Sequence, residues 1–288
     1  MALYCQTVKI LSAFVTPMKG DTFWGHVVWG IAHHEGDEAV ERYLAKADDF
    51  IVSSAFPHGF LPRPVLHEMD ETPKDKAEYA LQKKRKSERF VPASEFIEAD
   101  SPDAWNIPGE AIVSVTRNSI SRDDGAAIDG LLFSTKEIWR ERDVSDSMDI
   151  YVETSFPPER IAQLISWAVE NGFGADASTG KGQMRLEGSP RLVAPKRRGM
   201  HRYMALGPFV AGGGEADLLG RVFVRAGKLG GDFAASCSPY KKTVLLFDEG
   251  STFTSMEPIA KVGSLLERMH AMNDCNICVS GFAPVVEV

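Results

Sequence analysis

The chain lacks any apolar run close to the roughly 20 residues needed to cross a bilayer as a helix, and it holds only four cysteines in 288 residues. The first absence leaves no membrane segment to expect. The second argues against a disulfide-stapled scaffold. The cysteines lie at positions 5, 237, 275 and 278, and "CNIC" is a lone C-x-x-C, whereas a structural zinc site needs four ligands. A redox pair would sit at a helix start, yet this one leads into the strand-like "ICVSGF". Buried thiols are expected, with no metal and no cofactor. The opening "MALYCQTVKILSAF" alternates Thr7 and Lys9 with Val8 and Ile10, which reads as a strand and not as the apolar core of a signal peptide. The expected location is the cytoplasm, with no membrane partner.

Positive charge is also scarce: 32 Lys and Arg face 40 Asp and Glu, a net charge of −8. Indiscriminate nucleic-acid binding is therefore disfavoured. The cations are unevenly spread, however. Residues 181–202 carry a net +6 and residues 74–90 a net +4, which leaves the remainder at −18. Two basic islands on an acidic body fit a confined anionic track with acidic surfaces for other partners, or else solvated surface loops.

Both familiar nucleotide loops are missing as well. The stretch "GFGADASTGKGQMRLEG" at 172–188 is glycine-rich, with Lys181 between Gly180 and Gly182. Five residues separate Gly174 from Gly180 where a P-loop has four, and Gly182 stands where the hydroxyl should be. No G-x-G-x-x-G starts here either. Nucleotide loops leave a strand and open a helix. Here Ile161, Leu164, Ile165 and Ala168 mark a helix before the loop, and Met184 and Leu186 alternate with polar residues as a strand after it. The loop is a flexible connector or a site for the phosphate of a nucleic-acid backbone. Gly172, Gly174, Gly180 and Gly182 would let backbone amides approach a phosphate, with Lys181 and Arg185 as nearby cations. No visible turn spacing demands Gly180 or Gly182, so alanine at both is expected to weaken retention of a bound nucleic acid and spare the fold.

The order of elements predicts an α+β chain. A strand over 3–14 is followed by a buried helix over 22–34, with Asp21 or Thr22 as its N-cap. A turn-rich and basic insertion follows at about 53–110. Strand-like "AIVSVTR", "GLLFSTKEIW" and "DIYVET" precede the second helix, the glycine loop and the last strand. This is a ferredoxin-like (RRM-type) plan over 1–190 with the insertion as a thumb. Residues 191–288 read as a second, degenerate domain of the same type. Its strands are "RVFVRA", "TVLLF" and "NICVSGFAPVVEV", with a short helix at Val262, Leu265, Leu266 and Met269.

In order along the chain, "TPMKGDTFWGHVVW", "SSAFPHGFLPRP", "KKRKSERFVPASEF", "RNSISRDDGAAIDGLLF", the glycine loop and "SPYKKTVLLFDEGSTF" resemble the RAMP (repeat-associated mysterious protein) subunits of type III CRISPR effector complexes. The resemblance is greatest to the subunit that caps the 5′ handle of the guide RNA. It implies a non-catalytic crRNA-binding subunit in antiviral defence, which meets target RNA only indirectly. The expected neighbours are the large polymerase-like subunit and the first backbone subunit. The candidate RNA contacts are Lys19 and Gly20 at the first helix, Lys83, Lys84, Arg85 and Lys86 in the insertion, and Arg117 and Arg122 in the middle motif. The four loop glycines, Lys181 and Arg185, and Lys241 and Lys242 in the late motif complete the set. Phe56, Phe60 and Phe90 either stack on bases or anchor turns. A metal-independent repeat-cleaving endoribonuclease is the alternative, with His26 as its general base; a satisfied core histidine is the other reading of that residue.

If the islands form an RNA track, binding of repeat-derived RNA is salt-dependent, with a slope of about −0.7 per phosphate contact. Charge reversal at Lys83, Lys84, Arg85 and Lys86 then lowers affinity and flattens the slope in a filter-binding titration. Reversal of four cations outside both islands does much less.

Overall fold

In the computed structural model, residues 1–67, 75–76, 79, 83, 87–99, 109–142, 145–230, 233, 238–271 and 276–288 are described. The first half contributes strands β1 (Ala2–Ile10), β2 (Phe50–Pro57), β3 (Phe60–Pro62), β4 (Phe90–Pro92), β5 (Glu110–Ile120), β6 (Ala127–Arg140), β7 (Ser147–Thr154) and β8 (Met184–Val193). Its helices are α1 (Gly20–Glu35), α2 (Asp37–Leu44) and α3 (Pro158–Val169). The second half adds β9 (Arg202–Ala205), β10 (Ala216–Leu219), β11 (Val222–Arg225), β12 (Val244–Phe247), β13 (Thr252–Thr254), β14 (Lys261–Leu266) and β15 (Val279–Glu287). The architecture is mixed α and β with antiparallel pairing throughout the described ladders.

The first sheet has the order β2-β7-β1-β8. With α1 between β1 and β2 and α3 between β7 and β8, the chain runs β-α-β-β-α-β, the split arrangement of two crossovers. Alternation on each strand directs one set of side chains to the helices. Val8, Val52, Ile150 and Val152 meet Phe23, Val27 and Ile31 of α1 and Ile161, Leu164 and Ile165 of α3 in one buried core. Pro158 opens α3, where its missing N–H costs nothing. Gly172, at φ +85°, closes the turn after it. The opposite face of the sheet, through Leu3, Cys5, Phe56, Tyr151 and Val193, packs on Met204, Leu206, Val286 and Val288 of the second half.

Three sequence expectations are corrected here. The sheet strand next to β7 is Phe50–Pro57, not part of the insertion, and β3 pairs with β4 inside the segment read as irregular. "AIVSVTR" and "GLLFSTKEIW" are strands, but they pair with each other as a hairpin separate from the sheet. A bridge between Phe14 and Ile138 ties its base to the body. Most of its apolar side chains stay out of the core, as Ile112 at 62% and Leu132 at 69% exposed show, while Ile138 near the base packs against it. Hydrophobic alternation marks a strand, and it does not say which strand is its partner. The segment read as a helix at Val262–Met269 contains β14, paired with β15. Among the described residues the second half holds no α-helix; a sheet of order β10-β13-β9-β15-β14 and the ribbon β11-β12 make it up. The expected strands at "RVFVRA", "TVLLF" and the C-terminal run are present. β8 runs to Val193, past the boundary placed at 190. Much of the basic insertion, including Lys84, Arg85 and Lys86, lies outside the described residues.

The glycine loop is built tightly into the protein, against the expectation that its glycines are dispensable. A Cβ on Gly182 would lie 2.1 Å from the Phe173 carbonyl oxygen, and one on Gly174 would lie 2.4 Å from the Thr16 side chain. Gly180 has open space around it, although its φ is +84°. Gly182→Ala should therefore lose about 2 kcal/mol or more, from a left-handed backbone and a main-chain clash together. Gly180→Ala should lose about 1 kcal/mol. Urea unfolding of the two variants gives the comparison, and equal midpoints would contradict the packing argument.

Candidate nucleic-acid interface

The first cluster surrounds the N-terminus of α1. The helix begins two residues earlier than expected, at Gly20, because only glycine fits there: a Cβ would lie 2.5 Å from the Val52 carbonyl oxygen. Lys19 is the N-cap residue, and it makes no side-chain cap bond. Asp21 is thus a first-turn residue and not the cap. Its buried carboxylate pairs with Arg225 of β11, with Nε 2.9 Å from Oδ2. Burial raises the Asp21 pKa against the opposing pull of Arg225.

Lys19 was expected to meet a phosphate with the amides of the first turn. The anions beside it belong to the protein. Its Nζ donates to Asp248 and, at 2.9 Å, to both oxygens of Glu249. Ser54 Oγ donates to Glu249 at 3.1 Å, and the Phe223 ring lies 5.1 Å from the ammonium. Burial and the neighbouring Asp248 push the Glu249 carboxyl up. Burial also works against Asp248, yet hydrogen bonds from Glu249 and Lys19 hold it below the usual range.

The second cluster joins the hairpin to the glycine loop. Glu137 of β6, 2% exposed, accepts from Lys181 Nζ at 2.7 Å and from Arg117 Nη2 at 2.8 Å. Arg117 Nη1 reaches Asp176 of the loop at 2.9 Å, and Trp139 Nε1 donates to Glu137 at 3.2 Å. The Lys181 ammonium stands 5.2 Å from the Trp139 ring centre. The bond from Lys181 holds the Glu137 carboxyl below its ordinary range against burial. Arg117 and Lys181, far apart in sequence, are thus brought together on one carboxylate. Glu137 was not singled out in the sequence, and only its place in an apolar alternating run marked it as odd.

Several of the loop's amides are engaged. Phe173 N–H donates to Gly182, Gly174 N–H to His26 Nε2, Ala175 N–H to Thr16, Gly180 N–H to Ala177, Lys181 N–H to Asp176, and Gly182 N–H to Ala13. Each of these donors is met by an acceptor of the protein, in the loop itself or in a neighbouring segment. His26 accepts from Gly174 at 3.3 Å, and its ring hydrogen-bonds the Ala168 carbonyl while burial keeps it neutral. It is a strut between α1, α3 and the loop, which leaves no ring nitrogen for a general base. His34, in the last turn of α1, pairs with Glu170 and stacks on Trp167.

The remaining candidates separate by exposure. Lys241 donates to the Cys278 carbonyl at 2.7 Å, and burial lowers its pKa, so it is not the surface cation expected. Lys242 is exposed and donates to Arg268 O at 2.9 Å. Arg122, Arg185 and Lys83 are exposed. Phe56 and Phe60 are buried, and Phe90 meets Phe56 edge-on, so these rings anchor the β2–β4 turns. Cys5 and Cys278 are buried free thiols, and burial pushes Cys5 up to about 12. Cys237 and Cys275 lie outside the described residues. No helix among the described residues is long and apolar enough to cross a membrane.

The fold is a mixed, mostly antiparallel α/β architecture. No protein-family model and no curated protein matches the sequence. Solved structures do match. A chain of the Csm1–Csm4 cassette in complex with pppApA aligns with a TM-score of 0.64 and 19% identity, covering 99% of this chain and 98% of that one. The same cassette with AMPPNP gives 0.64 and 18% over the same coverage. The Csm3–Csm4 subcomplex of the type III-A CRISPR-Cas interference complex gives 0.57 and 12%, covering 100% and 99%. The structural neighbours are thus type III CRISPR subunits, as the sequence resemblance implied, and the likeness holds over the whole chain.

Lys19→Met leaves two adjoining carboxylates without their cation and should lower stability by about 2 kcal/mol, below the range for fully buried pairs. Because the folded-state pKa of Glu249 is raised, its contribution favours the fold at low pH and is lost as pH rises through that pKa. The melting temperature of Glu249→Gln relative to the parent protein should therefore improve as pH increases from acid to neutral. A pH-independent difference would contradict this assignment.

Proposed function

We propose that this chain is a non-catalytic guide-RNA-binding subunit of a type III CRISPR interference complex. It holds the 5′ repeat-derived handle of the crRNA and bridges the large polymerase-like subunit to the backbone subunits, in cytoplasmic antiviral defence. The observation that carries the reading is the full-length likeness to chains solved in both Csm1–Csm4 and Csm3–Csm4 assemblies. Those pairings are the two contacts that a bridging subunit would make. The β-α-β-β-α-β order of the first sheet supports a ferredoxin-like first domain, and the five-stranded sheet stands as its degenerate counterpart. The β5–β6 hairpin, solvent-exposed along most of its length, is a better thumb than the basic insertion. Arg122 at its turn and Arg185 on the first sheet are the accessible cations of this reading, while Lys19, Arg117 and Lys181 shape the scaffold beneath it. Target RNA is met only through the guide.

The endoribonuclease alternative loses its proposed base, since both ring nitrogens of His26 are engaged. Expressed with its CRISPR array and partner subunits, the chain should co-purify with small RNAs of uniform 5′ ends. The isolated chain should leave repeat RNA intact with or without magnesium. Recovery of the assembled complex without such RNA, or repeat cleavage abolished by His26→Ala, would overturn the reading.

A further inference from the structure

The face of the first sheet turned away from the helices is only partly covered by the second half. Leu3, Cys5 and Tyr151 are buried there, but the adjoining rows are more open. Register places Thr7 beside Asp149 on one side and Glu187 on the other, and Lys9 beside Ser147 and Arg185. Arg185 and Arg191 are exposed. Asp149, with a fully buried side chain, sits under this surface and is hydrogen-bonded on both oxygens. Oδ1 accepts from Thr7 Oγ1 at 2.7 Å and meets His58 Nδ1 at 2.9 Å. Oδ2 accepts the Gly59 N–H at 3.0 Å and faces Arg191 Nη2 at 4.0 Å.

This carboxylate hydrogen-bonds one cationic group at the surface, His58, and faces a second, Arg191, whose Nη2 donates to Cys5 Sγ at 3.8 Å. His58 occupies the β2–β3 turn, and its side chain is 56% exposed; that of Arg191 is 50% exposed. With Nδ1 committed to Asp149, the imidazole's other nitrogen has no partner among the described residues and is the donor left for a ligand. Charge decides what that ligand is. Lys9, Arg185 and Arg191 are balanced by Asp146, Asp149 and Glu187 around this turn. The proton on His58 therefore sets the sign of the patch.

We propose that His58 and Arg191, positioned by Asp149, form a binding site for an RNA phosphodiester on the open face of the first sheet. This rests on the RNA-binding reading above and adds to it two residues, His58 and Arg191, that are not among its candidate RNA contacts. The two donors grip the phosphate from one side, as charge-assisted hydrogen bonds, and the carboxylate beneath keeps the imidazole turned outward. The hydrogen bond to Asp149 raises the His58 pKa, although partial burial and Arg191 oppose it and Glu187 assists. Asp149 itself stays ionised: burial works against its charge, but the bonds from His58 and the Gly59 N–H hold its carboxyl below the usual range. A raised histidine pKa means that the cationic form persists to higher pH, so the contact is strongest in mild acid and is lost as pH rises through that pKa.

The test is affinity of the full chain for a labelled single-stranded RNA transcribed from the repeat, measured at about pH 6 and about pH 8, either side of the histidine range. The parent protein should bind roughly tenfold tighter at the lower pH, the scale of one charge-assisted hydrogen bond. His58→Gln should bind with the weaker affinity at both values, and His58→Lys with the stronger affinity at both. Arg191→Gln should weaken binding at both and leave the pH ratio. Unchanged melting of His58→Gln would separate lost contact from lost fold. Equal affinity of the parent protein at the two pH values, or a pH ratio that survives His58→Gln, overturns the site and leaves the RNA-binding reading standing. Failure of the parent protein to bind at either pH overturns both.

Discussion

The contact between Lys19 and the Asp248–Glu249 pair is the interaction on which the rest of the architecture depends. It stands where the first helix begins, so it sets the height of α1 on the sheet. It also reaches a loop of the second half, more than 200 positions along the chain, and so joins the two halves. Gly20 lets the helix approach the Val52 carbonyl, and Ser54 extends the network into β2. A helix N-terminus attracts anions through its unpaired amides and its dipole. Here the attraction serves intramolecular docking. Arg225 and Asp21 repeat the theme one turn along, with Phe223 between the two cations.

A second carboxylate does comparable work for the projecting hairpin. A two-stranded ribbon is marginal by itself in water, and β5–β6 has no sheet to join. The bridge at Phe14–Ile138 and the Glu137 cluster hold its base. Glu137 binds Lys181 and Arg117 at once, which couples the hairpin to the glycine loop. Engaged amides and close-packed glycines then make that loop a rigid corner. The loop's basic residues orient neighbouring elements, and the accessible positive charge lies instead on the sheet face and the hairpin turn.

Much of this was legible along the chain. Spacing of Ile161, Leu164, Ile165 and Ala168 gave α3, and period-two alternation gave β1, β8, β12 and β15, because burial of one face writes its period into the residues. Ordered motifs pointed to the RAMP plan before any tertiary contact was known. β2 was missed because its run "SSAFP" carries serines that the tertiary structure buries: Ser53 Oγ donates to Ser54 O and accepts the Tyr151 N–H. The strand at Lys261–Leu266 was taken for a helix because Val262, Leu265 and Leu266 fall at i, i+3 and i+4, the spacing of a helical face.

The sequence by itself determined the local elements and the types of charged group at each motif, since periodicity, turn residues and charge are properties of neighbours. It could not determine which charges remain accessible. Lys19, Arg117, Lys181 and Lys241 look like phosphate ligands in one dimension, and each finds a carboxylate or a carbonyl in three. Charges near a desolvated surface are stable only when paired, and the pairing partners Asp248, Glu249, Glu137 and the Cys278 carbonyl come from distant segments. His58 shows the converse: an unremarked turn residue becomes a directed donor because Asp149, 91 positions away, is buried beneath it. Only the tertiary fold brings such a pair together, because the free energy that orients it comes from desolvation and not from chain proximity.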